Sequence, residues 1–258
     1  MKRLLCLTTL SLLVITSIAQ TAPRKLVWSD EFNYKGLPDS TKWDYDLGSK
    51  NGWGNNELQY YTKDKKNARV EKGHLIIEAR KEKIEKFNYT SARLVTKGKA
   101  YWSQGRIEVR AKLPAGRGSW PAIWMLAENM KQWPDDGEID IMEHVGYDPG
   151  WVHGSIHSKK YNHVIGTQKT AKTFVADFSK AFHIYSVEWD QKLLTVSIDG
   201  KPFFSCTNEQ KGYEYWPFDN KMSLLLNIAV GGNWGGQKGV DDTIFPLRME
   251  VDYVRVYQ

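Results

Sequence analysis

Cysteine is nearly absent from this chain: there are two in 258 residues, Cys6 and Cys206. Histidine is scarce too, at six, and no His/Cys cluster has a zinc-ligand spacing. With only Cys206 outside the leader described below, no intramolecular disulfide can form. Stability must come from a hydrophobic core or a bound ion. Cys206 follows Phe203-Phe204 and reads as a small buried hydrophobe. Beyond residue 18 no apolar run is long enough for a membrane-spanning helix. Internal repeats, low-complexity segments and linkers are missing after Pro23, and no long stretch has a helical period. One-sided charge is missing as well: the net +6 is spread along the sequence. The lysines at 63–66 read as a solvated turn, and without a recognised nucleic-acid motif no nucleic-acid partner is expected.

What is present starts with the leader. Lys2 and Arg3 precede an apolar run at 4–18, and Ser17 and Ala19 give a small-residue cleavage pattern. Residues 1–19 therefore read as a signal peptide, cut after Ala19. Its removal takes two cations, lowering the net charge from +6 to +4. Cys6 precedes most of the apolar run, whereas a lipid-bearing cysteine is expected after it, so lipid anchoring is not expected. Residues 20–258 then form one domain, exported to the periplasm or beyond and expected to be a monomer.

The run Asp136-Gly137-Glu138-Ile139-Asp140-Ile141-Met142-Glu143-His144 carries the most information. Apolar and acidic residues alternate as in a strand. Glu138 and Asp140, two apart, share a face. Glu143 is five from Glu138, and in a regular strand it would point into the core, where an ionised carboxylate is costly. A β-bulge near Met142 returns it to the acidic face. Close carboxylates cannot all ionise freely, and paired carboxyls flanking a sugar linkage are the machinery of glycoside hydrolysis. His144 should face the other way. Eleven tryptophans and thirteen tyrosines supply flat faces suited to sugar rings, with about half expected in the core.

Strand-like runs recur at 75–80, 106–113, 184–189, 193–198, 222–230 and 249–257, with Asp199-Gly200 as a hairpin turn. The segment 170–181 is too polar and broken for a helix. Residues 35–66 and 208–221 read as extended loops. Many strands and Gly-rich turns indicate an all-β sandwich.

The stretch from Gly137 to Glu143 resembles the signature of glycoside hydrolase family 16, in the variant with two residues between Asp140 and Glu143. Four further segments match in order: 26–32 (LVWSDEF), 52–62 (GWGNNELQYYT), 120–125 (WPAIWM) and 227–234 (NIAVGGNW). The run at 56–61 and the segment 120–124 resemble the bacterial laminarinase-like branch. The resemblance covers the mature chain and implies a β-jelly-roll sandwich of two antiparallel sheets with a concave open cleft. It implies retaining chemistry with Glu138 as nucleophile, Glu143 as acid/base and Asp140 assisting, the two glutamates about 5–5.5 Å apart. It places Trp120 and Trp124 at the sugar subsites beside the cleavage point and Asn55 and Arg93 on the donor side. His157 is expected beside the acid/base, and Asn233 and Trp234 at a cleft-edge loop. It also implies one structural calcium at Glu31, Gly73 and Asp252, largely through backbone carbonyls. Catalysis needs no redox cofactor or metal.

The implied function is endo-hydrolysis of β-1,3-glucan (laminarin), extending to mixed-linkage β-1,3-1,4-glucan. The alternatives are a related hydrolase on agar, carrageenan or porphyran, and a β-glucan-binding protein without catalysis. Binding-only relatives have lost catalytic carboxylates; here all three are present.

Overall fold

Strict alternation decides the architecture. In the strand Gly105–Lys112 every second side chain is buried, Ile107, Val109 and Ala111 completely so. A strand of that pattern must cover one face. The computed structural model describes residues 24–258; the leader reading at 1–19 lies outside the described residues. Two sheets stack over one core. The outer, ten-stranded sheet runs Lys201–Thr207, Leu193–Ile198, His183–Trp189, Gly105–Lys112, Leu247–Tyr257, His74–Ile84, Phe87–Ser91, Gln59–Tyr61, with Leu26–Asp30 and Ala68–Glu71 paired alongside. The inner, seven-stranded sheet runs Lys169–Phe174, Trp151–His157, Glu138–His144, Ser119–Ala127, Met222–Val230, Arg93–Val95, Asp44–Tyr45. Among the described residues the only helices are two 3-10 turns, His163–Ile165 and Asp242–Ile244.

All six strands expected from the sequence are present. Asp199 and Gly200 both take positive φ (50° and 74°) between Ile198 and its partner Lys201, the geometry a two-residue hairpin requires. Three features differ from the expectation. The loop at 35–66 contains the short strands Asp44–Tyr45 and Gln59–Tyr61. Gln59–Tyr61 pairs in parallel with Phe87–Ser91, the exception to an otherwise antiparallel pairing. Residues 169–174 form the edge strand of the inner sheet. Its polar character suits an edge, where one side of the strand meets water.

The core is filled from both sheets: Ile123, Met125, Ile139, Ile141, Leu224 and Leu226 face Ile77, Val109, Val187 and Met249 among others. Burying each isoleucine contributes about 1.5–3 kcal/mol. A one-residue slip of Glu138–His144 would expose Ile139 and Ile141 and bury Glu138, so the core fixes which face carries acid. Cys206 is 4% exposed and joins this core. Five of the eleven tryptophans are buried, Trp43, Trp102, Trp120, Trp189 and Trp216, but only three of the thirteen tyrosines, Tyr61, Tyr185 and Tyr253, fewer than the half expected of the two together.

Candidate active site

The outward face of the inner sheet is built from aligned side chains. One row across six strands reads Arg93, Asn227, Ala122, Glu143, His153, Lys172. The neighbouring row reads Val95, Leu225, Trp124, Asp140, Ser155, Thr170. The next reads Ser223, Leu126, Glu138, His157. Glu143 holds its place through the expected bulge. Asp140 pairs with Trp124, Met142 with Ile123 and Glu143 with Ala122, so Ile141 and Met142 together oppose one residue. Both are fully buried, and the extra residue turns Glu143 onto the acidic face. Gly137 enters the strand at φ 96°, and a Cβ there would lie 2.9 Å from Pro217, so the approach to Glu138 suits glycine alone.

The carboxylates have different surroundings. Glu138 accepts a 2.7 Å hydrogen bond at Oε2 from the Trp133 indole. Its Oε1 stands 4.0 Å from His157 Nε2, which lies 3.2 Å from Asp140 Oδ2. One ligand atom from each of Glu138, Asp140 and His157 falls within 4.8 Å of the others. Asp140 is 1% exposed; burial, then the charge of Glu138 and a hydrogen bond shared with it, hold its carboxyl well above the usual range. Burial first, then the charges of Asp140 and Glu138, hold Glu143 well above the usual range too. The Trp120 indole donates 3.0 Å to Glu143 Oε1 and offsets part of this. Asp140 and Glu143 therefore keep protons at a pH where isolated carboxyls have lost them.

On one flank, Trp124 Nε1 donates 2.7 Å to Asn227 Oδ1, Asn227 Nδ2 donates 3.0 Å to the Tyr61 hydroxyl, and Tyr61 donates 3.3 Å to Glu57. Glu57 also accepts 2.6 Å from Gln59 and, being buried, is raised in pKa. Arg93 is 7% exposed. Its guanidinium lies 4.6 Å from the Trp53 ring and 4.5 Å from the Trp124 ring, with Nε 3.0 Å from Asp46. Cation–π contact and the ion pair hold Trp124 upright. Asn55 and Asn233 sit at the rim: Asn233 N donates 2.7 Å to Asn55 O, and Asn56 donates 2.9 Å to Asn233 Oδ1. On the other flank Trp234 packs edge-to-face on Trp120 (5.5 Å) and on His153 (4.9 Å).

A family model described as glycosyl hydrolases family 16 matches residues 55–255. The chain is also 54% identical over 244 residues to a beta-glucanase of Rhodothermus marinus, which covers 91% of this chain and 85% of that protein. The chain belongs to glycosyl hydrolase family 16. The laminarinase structure from Rhodothermus marinus matches with a TM-score of 0.90 at 52% identity, over 92% of this chain and 98% of that one. SCLam, a non-specific endo-beta-1,3(4)-glucanase from family 16, matches with a TM-score of 0.89 at 51% identity, over 93% of each chain.

Within this family 16 fold Glu138, Asp140 and Glu143 share one face, with Trp120 and Trp124 on the adjoining strand, as the sequence implied. His144 turns away as expected: it is buried against Phe178 (4.5 Å), with Nδ1 2.9 Å from Trp151 O. His157 needs a correction. It was expected beside the acid/base, yet regular pairing ahead of the bulge sets it opposite Glu138 and beside Asp140, and the residue opposite Glu143 is His153. Burial, then the charge of Lys172, lowers the His153 pKa to about 4, so this imidazole is neutral at neutral pH.

Sequence reasoning missed Trp133, Asn227, Tyr61, Glu57 and His153. Asn227 carried a signal, a lone amide inside the apolar run 222–230. Trp133 sits in an irregular loop with no period to read.

Of the calcium positions, Glu31 and Gly73 adjoin the strands Leu26–Asp30 and His74–Ile84, both of which pair with the strand Leu247–Tyr257 that carries Asp252. Asp30 pairs with Val254 and Leu75 with Val251, and a bulge between Val251 and Tyr253 sets Asp252 apart. Their carboxylates are already engaged. Glu31 receives Arg255 at 3.0 and 2.8 Å, and Asp252 receives Arg110 at 2.5 Å with His74 at 3.6 Å.

Proposed function

We propose that this chain is an endo-β-1,3-glucanase that cleaves with retention of anomeric configuration. The observation that carries the reading is the pairing of two glutamates on one face in unlike surroundings. Glu138 has one oxygen held by an indole and the other facing His157, beside Asp140. Glu143 is a half-buried acid that keeps its proton above the usual range. In the first step Glu138 Oε1 forms a bond to the anomeric carbon as the glycosidic C–O bond breaks, and Glu143 gives its proton to the departing oxygen. In the second, Glu143 takes a proton from water, whose oxygen displaces Glu138 and restores both groups. His157 and Asp140 sit beside the Glu138 oxygen that attacks and fix its direction. Trp124, steadied by Arg93 and Asn227, offers a flat face to a donor-side sugar ring.

β-1,3-Glucan as substrate is supported by the laminarinase and beta-glucanase relatives, and some activity on mixed-linkage glucan by the likeness to SCLam. The test is reducing-end release by the purified protein on laminarin, with barley glucan, agarose and κ-carrageenan in parallel. A ladder of oligosaccharides from laminarin is expected. Activity confined to a galactan would move the substrate, and silence on all four would favour a binding protein.

The leader at 1–19 supports export, which appearance of the mature chain starting at Gln20 outside the cytoplasm would verify. Pairing of the strands that Glu31, Gly73 and Asp252 lie on or adjoin supports a structural calcium there. A melting temperature unchanged by chelator would remove it.

A further inference from the structure

The two outermost strands of the inner sheet carry aromatic side chains that the reaction above does not use. In Trp151–His157, Val152, Gly154 and Ile156 face the core, so Trp151, His153, Ser155 and His157 share the cleft face. Their partners on the edge strand, Phe174 opposite Trp151, Lys172 opposite His153 and Thr170 opposite Ser155, are all exposed. Phe174 leaves 57% of its surface in water. Its ring lies 5.4 Å from Trp151, and Lys172 Nζ stands 4.4 Å from the Trp151 ring. These residues continue a strip that begins at the acid/base: Trp120 on Glu143, Trp234 on Trp120, His153 on Trp234, then Trp151 and Phe174. From the Glu143 strand to the edge strand is two strand spacings, about 10 Å, the scale of an extension of the cleft by further sugar rings.

An edge strand is ordinarily guarded by charge and kept free of exposed aromatics, so Phe174 runs against the needs of the fold. Its position is also prepared. Gly150 takes φ 86°, and a Cβ there would lie 2.6 Å from Phe174 Cε2. Flat apolar faces beside polar hydrogen-bonding groups suit hexoses, and here Lys172 and Thr170 supply the polar groups.

We propose that Phe174 and Trp151, with Lys172 and His153, form an acceptor-side subsite for glucosyl residues on the reducing-end side of the scissile bond. This rests on the β-1,3-glucanase reading. The donor flank, with Arg93 and Trp124, lies across Glu138 and Glu143 from this strip, so a chain bound along the row Arg93 to Lys172 places its leaving portion here. The same site would hold a sugar acceptor when an oligosaccharide replaces water in the second step.

The test compares wild type, Phe174→Ala, Trp151→Ala and Phe174→Trp on end-labelled laminarihexaose and on an aryl β-laminaribioside, whose short leaving group stops before Trp151 and Phe174. The ratio of kcat/KM between the two substrates should fall about five- to tenfold in the alanine variants, as expected for loss of one stacking contact. The labelled cut should move, and transfer to added laminaribiose should drop. Phe174→Trp should restore ratio and pattern, separating lost stacking from damaged folding. An unchanged ratio and cleavage pattern in both alanine variants would overturn the subsite, as would equal loss on both substrates. Wild type failing to cut either laminari-substrate would instead overturn the glucanase reading, and the subsite with it.

Discussion

Two buried carboxylates, one in each sheet, show how the same side-chain chemistry serves opposite ends. Glu78 in the outer sheet is 0% exposed and Asp140 in the inner sheet 1%. Glu78 is surrounded by guanidinium groups: Arg69 at 3.0 Å, Arg248 at 2.8 Å and Arg80 in direct contact. Asp140 meets another carboxylate and one imidazole, and its Oδ2 has no hydrogen-bond partner. In the outer sheet the desolvation of a carboxylate is offset by opposite charge, and the result is a clasp across three strands. In the inner sheet the cost is left standing, and protons stay on the cluster instead. The outer arrangement favours the fold; the inner one trades stability for acid and base groups within reach of one bond.

The comparison breaks most sharply at the glutamates of the inner sheet. Glu143→Gln should lower kcat/KM on laminarin by roughly 10²–10⁴-fold, the usual worth of a general acid, and Glu138→Gln by at least as much. Neither should lower the melting temperature, because each removes a like charge from the cluster. Near-normal hydrolysis by either variant would remove the role assignment. Asp140→Asn should cost less rate than either, since its carboxylate positions and does not itself form or break bonds.

Glu78→Gln should do the reverse. Activity per folded molecule stays intact, while unfolding free energy falls by about 3 kcal/mol, the low end for a broken buried ion pair, because Arg80 and Arg248 reach solvent. Denaturant titration reads this directly. A fall in activity at unchanged stability would mean the two sheets are not divided as described.

The smallest effect concerns pH. Glu143 must be protonated to act first, and its folded pKa is raised above 4.5. Activity should therefore survive above the ordinary carboxylate range and fall as pH passes the raised value. The same shift means that stability from this group is full below 4.5 and declines as pH rises through the folded pKa. Trp120→Phe deletes the N–H that favours the charged form, so the alkaline limb of kcat/KM should move to higher pH. A limb moved to lower pH would show that the indole does not act on Glu143.

The parity of Glu138, Asp140 and Glu143 made the inner site legible in the sequence. An odd offset with acid on both sides demanded a bulge, and the bulge is there. The outer clasp was not legible as a whole: Arg80 shares a face with Glu78 two residues away, but Arg69 joins it across a neighbouring strand and Arg248 from 170 residues away, through pairings the sequence does not display. Trp133 was hidden for a different reason: it reaches Glu138 from an irregular loop with no period to read. His157 was assigned to the wrong glutamate because the register between the two strands, which sets His157 opposite Glu138 and His153 opposite Glu143, cannot be read from spacing within either strand. Aromatic content pointed to sugar binding but could not say which rings would pave the cleft.

The most direct measurement is ¹H NMR of the anomeric protons in the first minutes of laminarin hydrolysis, before mutarotation. Glu138 as nucleophile with Glu143 as acid/base predicts β-anomers at the new reducing ends. Initial release of α-anomers would mean that water attacks directly across the sugar ring, and would contradict the assignment of Glu138.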